Sequence, residues 1–342
     1  MTAGQQPVGL AIIGAGLMAG QHHASTVAVD EIDVRGVFAA DTAQARELTA
    51  GTDATVYESL DSVLADDTVE GVLVATPTDT HVDIALAALA AGRHVFVEKP
   101  VARTLDGAEQ LRDAGRAHGL VVQSGHVIRY FPEYRALHDA IRAGDVGTPA
   151  VATFGRRCQQ PDWAPDHWHT NMARSGGVAV DMLIHDVDLV RWMFGEPTEV
   201  FARVVGSDRF NGLDYALATL TVPDGPICHL HGSWAEPAGF SQSAEICGTR
   251  GMLTYDSRGR AELDVAAHAA HADSVTALPP PPPGPDNPFA RQLRDFAAAV
   301  RGGPEPPGSI DWAIGSLRVA LAMLESSDTG EVVRLGAAEV LA

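Results

Sequence analysis

VGLAIIGAGLMAG, residues 8 to 20, decides the fold. An apolar run that stops at glycines reads as a buried parallel strand entering a tight turn, and the residues after the turn begin a helical pattern. The turn has the form G-x-G-x-x-A, with Gly14, Gly16 and Ala19 at the fixed positions. The first glycine serves the turn. The second lets backbone approach a pyrophosphate, whose charge then rests on the helix N-terminus. The motif is weak by itself, but Asp41 lies at the end of the next strand pattern, about 20 residues on, where a carboxylate binds the adenosine ribose hydroxyls. No arginine stands beside it at Thr42, and a 2′-phosphate would be repelled by Asp41, so the expected cofactor is NAD rather than NADP.

Working outward, VRGVFAAD (34–41), VEGVLVATP (69–77), RHVFVEKP (93–100) and GLVVQSG (119–125) repeat the apolar run. Between them lie the helical patterns TAQARELTA (42–50) and HVDIALAALAAG (81–92), the second closing on Gly92. Alternation of this kind predicts an α/β fold, a doubly wound parallel sheet of Rossmann type over 1–125. Beyond 125 the segments AVATFGRR, VFARVVG, DYALATLTV and PICHLHGSW are β-rich and separated by turns, which predicts a second, α+β domain over 126–342 built on a large, mostly antiparallel open sheet. PPPPPGPDNP (279–288) reads as a polyproline connector. The helical patterns PFARQLRDFAAAVRGG (288–303) and DWAIGSLRVALAMLESS (311–327) follow, and the first is expected to pack back on the fold.

The 342 residues are 46% apolar and 20% charged, as in an ordinary globular protein of about two domains. A net charge of −20 argues against a nucleic-acid or anionic-membrane surface, which needs basic patches, and disfavours a highly anionic substrate. Cys158, Cys228 and Cys247 have no metal-binding spacing and are odd in number, so they read as reduced core thiols, with no metal site expected. The run MTAGQQPVGLAIIGAG lacks the cationic flank of a signal peptide, and no stretch approaches the roughly 18 apolar residues of a membrane span. A cytoplasmic location is the expectation.

Of the 24 Lys and Arg residues one is lysine, Lys99 in VEKP (97–100). Arginine keeps its proton at any working pH, whereas the ammonium is compact, donates three hydrogen bonds and gives up a proton when crowded or buried. Lys99 falls at the carboxyl end of a parallel strand, the edge where open α/β sheets bind ligands. Pro100 restrains it toward extended geometry and permits a cis bond. In SGGVAVDMLIHDVDLVRWMFG, Asp181 and His185 stand four apart, which places them on one face of one helix. A carboxylate beside a histidine can orient it and favour its imidazolium, as a proton acceptor for an alcohol requires. Asp186 and Asp188 read as a solvated face or a helix-end contact.

GAGLMAGQHH, ATPTDTH, AGRHVFVEKP, GHVIRYFPEY, SGGVAVDMLIHDVDL, GTRGML and ESSDTGEVVRL together resemble the Gfo/Idh/MocA oxidoreductases, the family of glucose-fructose oxidoreductase and inositol 2-dehydrogenase. EKP and D-x-x-x-H are the specific elements. The resemblance implies a nicotinamide reaction in the cleft between a Rossmann domain and an open-sheet domain. By the matching positions, Lys99 binds the reacting oxygen and assists proton transfer, His185 is the general acid/base and Asp181 supports it. Gly14, Gly16, Leu17 and Met18 form the phosphate turn and Asp41 takes the ribose. Thr76, Pro77 and His81 line the cofactor side, Glu98 lies near the nicotinamide ribose, and His22 matches a histidine of the first helix that can equally be structural. Pairing of open sheets between subunits implies a homodimer or homotetramer.

The substrate expectation is a neutral sugar, glycoside or cyclitol. In GHVIRYF, Arg129 and Tyr130 match the link of inositol dehydrogenases, while Ile128 replaces an arginine and His126 a phenylalanine. Those departures, with the apolar Met182 after Asp181, speak against myo-inositol itself. Trp163, His167, Trp168 and His169 form an aromatic loop suited to the apolar side of a sugar ring. His126, Arg129, Trp163 and Trp168 therefore join Lys99 and His185 as expected substrate residues. Two rival readings are a redox-neutral glycosidase that keeps its NAD and a non-catalytic dinucleotide-binding regulator, though a regulator has no need of Lys99, Asp181 and His185 together.

Overall fold

The computed structural model describes residues 6–161, 167–205, 214–259 and 287–336. They cluster as two compact units, 6–130 with 287–314, and 131–259 with 315–336. The division expected at 125 thus falls at 130, and the late segment 287–314 belongs to the first unit. Most of the polyproline connector lies outside the described residues.

Along the chain the order begins β1 (Val8–Ile13), α1 (Leu17–Thr26), β2 (Ile32–Phe38), α2 (Thr42–Leu48), β3 (Thr55–Val56) and α3 (Leu60–Leu64). It continues with β4 (Gly71–Val74), α4 (His81–Ala90), β5 (His94–Val97), α5 (Leu105–His118) and β6 (Val122–Ser124). Then follow α6 (Pro132–Ala143), β7 (Pro149–Arg157), α7 (Met172–Ser175), α8 (Ile184–Phe194), β8 (Glu199–Val205), β9 (Tyr215–Thr221) and β10 (Ile227–Ser233). The last elements are β11 (Ser241–Gly248), β12 (Met252–Asp256), α9 (Pro288–Val300), α10 (Ile310–Thr329) and β13 (Val333–Arg334).

In the first unit six parallel strands run in the order β3-β2-β1-β4-β5-β6. Every residue of β1 and β4 is buried, which is why these strands read as continuous apolar runs rather than as alternations. The strand order reverses between β1 and β4, and a crevice for ligands opens beyond the carboxyl ends at such a reversal. Helix α9 completes this core. Its Ala290, Leu293, Phe296 and Ala297 pack with Leu10, Ile12, Ala19 and Phe96, and Asn287 Nδ2 donates to Ser25 Oγ of α1 at 3.1 Å.

Among the described residues the second unit holds a seven-stranded sheet, order β12-β11-β7-β10-β9-β8-β13, in which the β7–β10 pair is parallel and the other pairs are antiparallel. Burial alternates along β9, with Ala216, Ala218 and Leu220 inside and Tyr215 and Leu217 outside, so one face is covered and one is bare. The sequence expectation for Asp186 needs correcting. It is fully buried, and both its oxygens accept from Arg156 at 3.0 Å, Nε and Nη2 reaching one each, while Arg156 Nη1 donates to Gln242 Oε1 at 2.9 Å. Asp188 is buried as well. A buried carboxylate is tolerable only when it is paired and hydrogen-bonded, and the partner of Asp186, Arg156, comes from β7, far away in sequence. Among the described residues no helix is long and apolar enough to cross a membrane.

Removing one partner of this pair strands a buried charge. Asp186→Ala should cost about 3–5 kcal/mol in urea unfolding, whereas Asp33→Ala, which breaks the half-exposed Arg35–Asp33 pair, should stay within about 1 kcal/mol.

Candidate active site

The glycine turn sits at the carboxyl end of β1. Gly14 has φ +113°, and a Cβ there would run into the Ala75 carbonyl, so only glycine lets β1 pass the end of β4 this closely. Gly16 caps α1 and differs in kind, since a Cβ on it would meet nothing within 4 Å. The fold itself does not require that glycine. The first turn of α1 has neither an acidic side chain nor a side-chain cap, which leaves the positive end of the helix dipole open, with Gly16 and Leu17 exposed. Asp41 is exposed and caps α2, its Oδ1 accepting from the Ala43 amide at 2.9 Å.

At the end of β4, Thr76 Oγ1 and Thr80 Oγ1 are 2.7 Å apart, and Thr80 Oγ1 donates to the Pro77 carbonyl at 2.7 Å, which folds this loop onto itself. Two residues expected on the cofactor side face inward instead. His81 is 1% exposed, with Nδ1 2.9 Å from the Pro100 carbonyl and Nε2 2.9 Å from the Thr76 carbonyl. Glu98 is 4% exposed, and both of its oxygens are engaged: Oε1 meets His22 Nε2 at 2.5 Å and Oε2 accepts the Lys99 amide at 3.1 Å.

His22 is the residue whose importance the sequence left open. It is fully buried in α1, edge-on to Phe96 and Phe289, and aimed at Glu98. Gly125 completes the seat, because a Cβ there would fall 2.9 Å from Glu98 Oε1. Burial pushes the Glu98 carboxyl up, but the hydrogen bond and charge of His22, the Lys99 ammonium and the Lys99 amide together draw it below the ordinary carboxylate range. Lys99 follows, half-buried at the carboxyl end of β5, and its bond to Pro100 is cis. His126 is buried, and Arg129, 6% exposed, donates to the Pro307 carbonyl at 3.0 Å and lies 4.7 Å over the Trp312 ring. These contacts seat the late segment of the same unit.

In the second unit Asp181 and His185 do not share one continuous α-helix, contrary to the four-residue reading. Residues Val178–Met182 form a π-helical turn closed by Leu183 N–H on the Val178 carbonyl at 2.9 Å, and His185 is the second residue of α8. The chain enters that turn through Gly177 at φ +64°, and the Asp214 carboxylate accepts the Val178 amide. A Cβ on Gly177 would sit 2.7 Å from Asp214 Oδ2, so the wide turn depends on this close approach. Such turns occur frequently at functional sites. Asp214 went unnoticed in the sequence because nothing in its local pattern marks it. Asp181 is buried and His185 half-buried. Trp168 stacks on His169 with ring centroids 3.8 Å apart, and Trp163 lies outside the described residues.

The first unit is thus a nucleotide-binding domain of Rossmann type, with a bare glycine turn and a lysine at the carboxyl edge of its sheet. Residues 8–126 match the oxidoreductase family described by its NAD-binding Rossmann fold, and residues 134–254 match the GFO/IDH/MocA C-terminal domain. The chain belongs to the Gfo/Idh/MocA oxidoreductase family. It is similar to the 1,5-anhydro-D-fructose reductase of Ensifer adhaerens, 28% identical over 81% of this chain and 83% of that one. It is also similar to the scyllo-inositol 2-dehydrogenase (NAD(+)) of Bacillus subtilis, 28% identical over 80% of each. Among solved structures, GenD2 from gentamicin A biosynthesis, in complex with NAD, is 28% identical with a TM-score of 0.84 over 97% of each chain.

The Glu98 carboxyl is depressed, so its stabilisation is fully present above the unfolded carboxyl range and is lost as pH falls through the folded value. His22→Ala removes the main opposing partner, so the variant should be less stable near neutral pH and lose less stability on acidification in a thermal-unfolding series; an acid dependence identical to the wild type would show that the pair is not coupled to folding.

Proposed function

We propose that this protein is an NAD-dependent dehydrogenase acting on a secondary hydroxyl of a sugar, glycoside or cyclitol, or catalysing the reverse reduction. One observation carries the reading. The sole lysine stands at the carboxyl edge of the parallel sheet with its own amide anchored on a buried carboxylate, and the same edge carries a glycine turn that has room for phosphate. Enzymes of this family that are similar to the chain act, by their names, on inositol and on anhydrofructose.

The turn fits the dinucleotide, since Gly16 faces open space and α1 offers an uncapped, acid-free N-terminus. Gly14, Gly16, Leu17 and Met18 hold the pyrophosphate, and Asp41 takes the adenosine ribose and selects NAD over NADP. Thr76 and Pro77 line the cofactor side with backbone and short side chains. Bound NAD supplies a hydride acceptor at nicotinamide C4. Lys99 donates to the reacting oxygen and stabilises the charge that develops there. His185 removes the hydroxyl proton and Asp181 supports it. The stacked Trp168 and His169 offer a face for the apolar side of the sugar ring, with His126 on the substrate side. Arg129 is left out of the substrate set because its guanidinium is committed to Pro307 and Trp312.

The bare face of the second unit's sheet carries Val151, Phe201, Tyr215, Leu217 and Ile227, each 38–49% exposed. A second copy of the chain covering that face gives the proposed homo-oligomer. Leu217→Glu should then reduce the mass seen by light scattering; an unchanged mass would place the contact elsewhere.

The decisive assay follows NADH absorbance with a panel of cyclitols, free aldoses and glycosides. A substrate-dependent signal should appear and fall about 10²–10⁴-fold in His185→Ala, with Lys99→Arg also strongly impaired because guanidinium supplies charge but no proton traffic. Sugar release without net NADH would overturn the dehydrogenase in favour of a redox-neutral glycosidase. NAD binding with neither reaction would leave a regulator.

A further inference from the structure

Helix α8 follows the wide turn directly, and no side-chain cap fixes its start. A π turn carries an extra residue, so α-helical spacing does not run through from Asp181 to His185. What seats the helix start is the sheet beneath it. Leu183 and Asp186, three residues apart and hence on one face, both meet that sheet. Leu183 packs on Gly232 of β10, where a Cβ would fall 2.8 Å from Leu183 Cγ. Asp186 takes the guanidinium of Arg156 on β7, whose Nε and Nη2 each donate at 3.0 Å. Gly232 and Arg156 are register partners on neighbouring strands, so the two contacts fall on one row across the sheet. His185 lies ~100° round the helix from Asp186 and ~200° from Leu183, turned away from the sheet, and is half-buried.

The two contacts differ in kind. An apolar seat is non-directional, whereas a planar fork that engages both carboxylate oxygens admits one orientation. Arg156 is itself held: it lies in β7 between β10 and β11, is 2% exposed, and its Nη1 donates to Gln242 Oε1 at 2.9 Å. Gln242 Nε2 donates in turn to the Tyr255 hydroxyl at 3.1 Å. Stability does not call for such a pair, because apolar side chains of similar volume commonly replace a buried ion pair at no loss. Direction does call for it. We infer that Arg156 and Asp186 are positioning residues: their bidentate pair fixes the rotation of α8 on the sheet and thereby the direction in which His185 presents its ring. The inference rests on the proposed role of His185 as the group that removes the hydroxyl proton.

Removing one partner alone strands a charge and mixes stability with position. The test is therefore the double variant Arg156→Met/Asp186→Val, which roughly keeps the buried volume and buries no charge. Its thermal unfolding is expected to stay close to that of the wild type. Crystal structures of the two proteins are expected to show the His185 ring displaced by about 1 Å, with kcat at saturating NAD and substrate lowered about 100-fold, the scale of such a misplacement. Arg156→Lys, which keeps the opposite charges and gives up the fork, is expected to show the same displacement and a similar loss. A His185 ring at its wild-type position in these variants would overturn the inference whether or not any panel substrate is oxidised, so a failed dehydrogenase reading is told apart from failed positioning. A kcat that returns with stability in the double variant would also overturn it and leave the pair a purely structural one.

Discussion

The contact on which the first unit depends is the one between His22 and Glu98. It joins α1, the helix that begins at the phosphate turn, to the end of β5, where Lys99 stands. A carboxylate with 4% exposure would cost several kcal/mol if left alone, so its place in the core is conditional on this partner and on the Lys99 amide. Around it the structure leaves no slack: Phe96 and Phe289 meet the His22 ring edge-on, and Gly125 has no room for a side chain beside the carboxylate. One buried polar contact therefore ties the helix that begins at the nucleotide turn to the strand end that carries the lysine, against the apolar cluster of Phe96 and its neighbours.

The second unit solves a comparable problem by different means. Its helix α8 carries Asp186 inward, which Arg156 of β7 neutralises bidentately. The segment just before α8 is held in a wide turn by Gly177 and by the Asp214 carboxylate. Asp181 and His185 hang from that wide turn and from the first turn of the helix. Their relative placement is thus a product of the cap and the glycine rather than of α-helical periodicity.

Much of the fold was legible along the chain because its signals are local. VGLAII is apolar throughout since both faces of β1 are covered, and the alternation in β9 reflects a sheet covered on one face. The phosphate turn was legible because its glycines fall at fixed spacing directly after an apolar strand, although the clash that forbids a side chain at Gly14 comes from Ala75, beyond β4. Lys99 stood out by composition alone. The reading failed where a side chain answers to a distant partner. Asp186 looked like a solvated residue because Arg156 is invisible from its helix, and Asp214 looked like nothing because its role is to cap a turn made by residues 178 to 182.

The sequence by itself determined the parallel sheet, the dinucleotide turn and the family, since strand burial, glycine conformation and short motifs are written in neighbouring residues. Only the tertiary structure decided which way the polar side chains face. It set Glu98 against His22 and the Lys99 amide and His81 between the Thr76 and Pro100 carbonyls, and it seated Arg129 on Pro307 and Trp312. The physical reason is that burying a charge or a ring nitrogen is tolerable only when a matching donor or acceptor arrives from elsewhere in the chain, and that arrival is a property of packing.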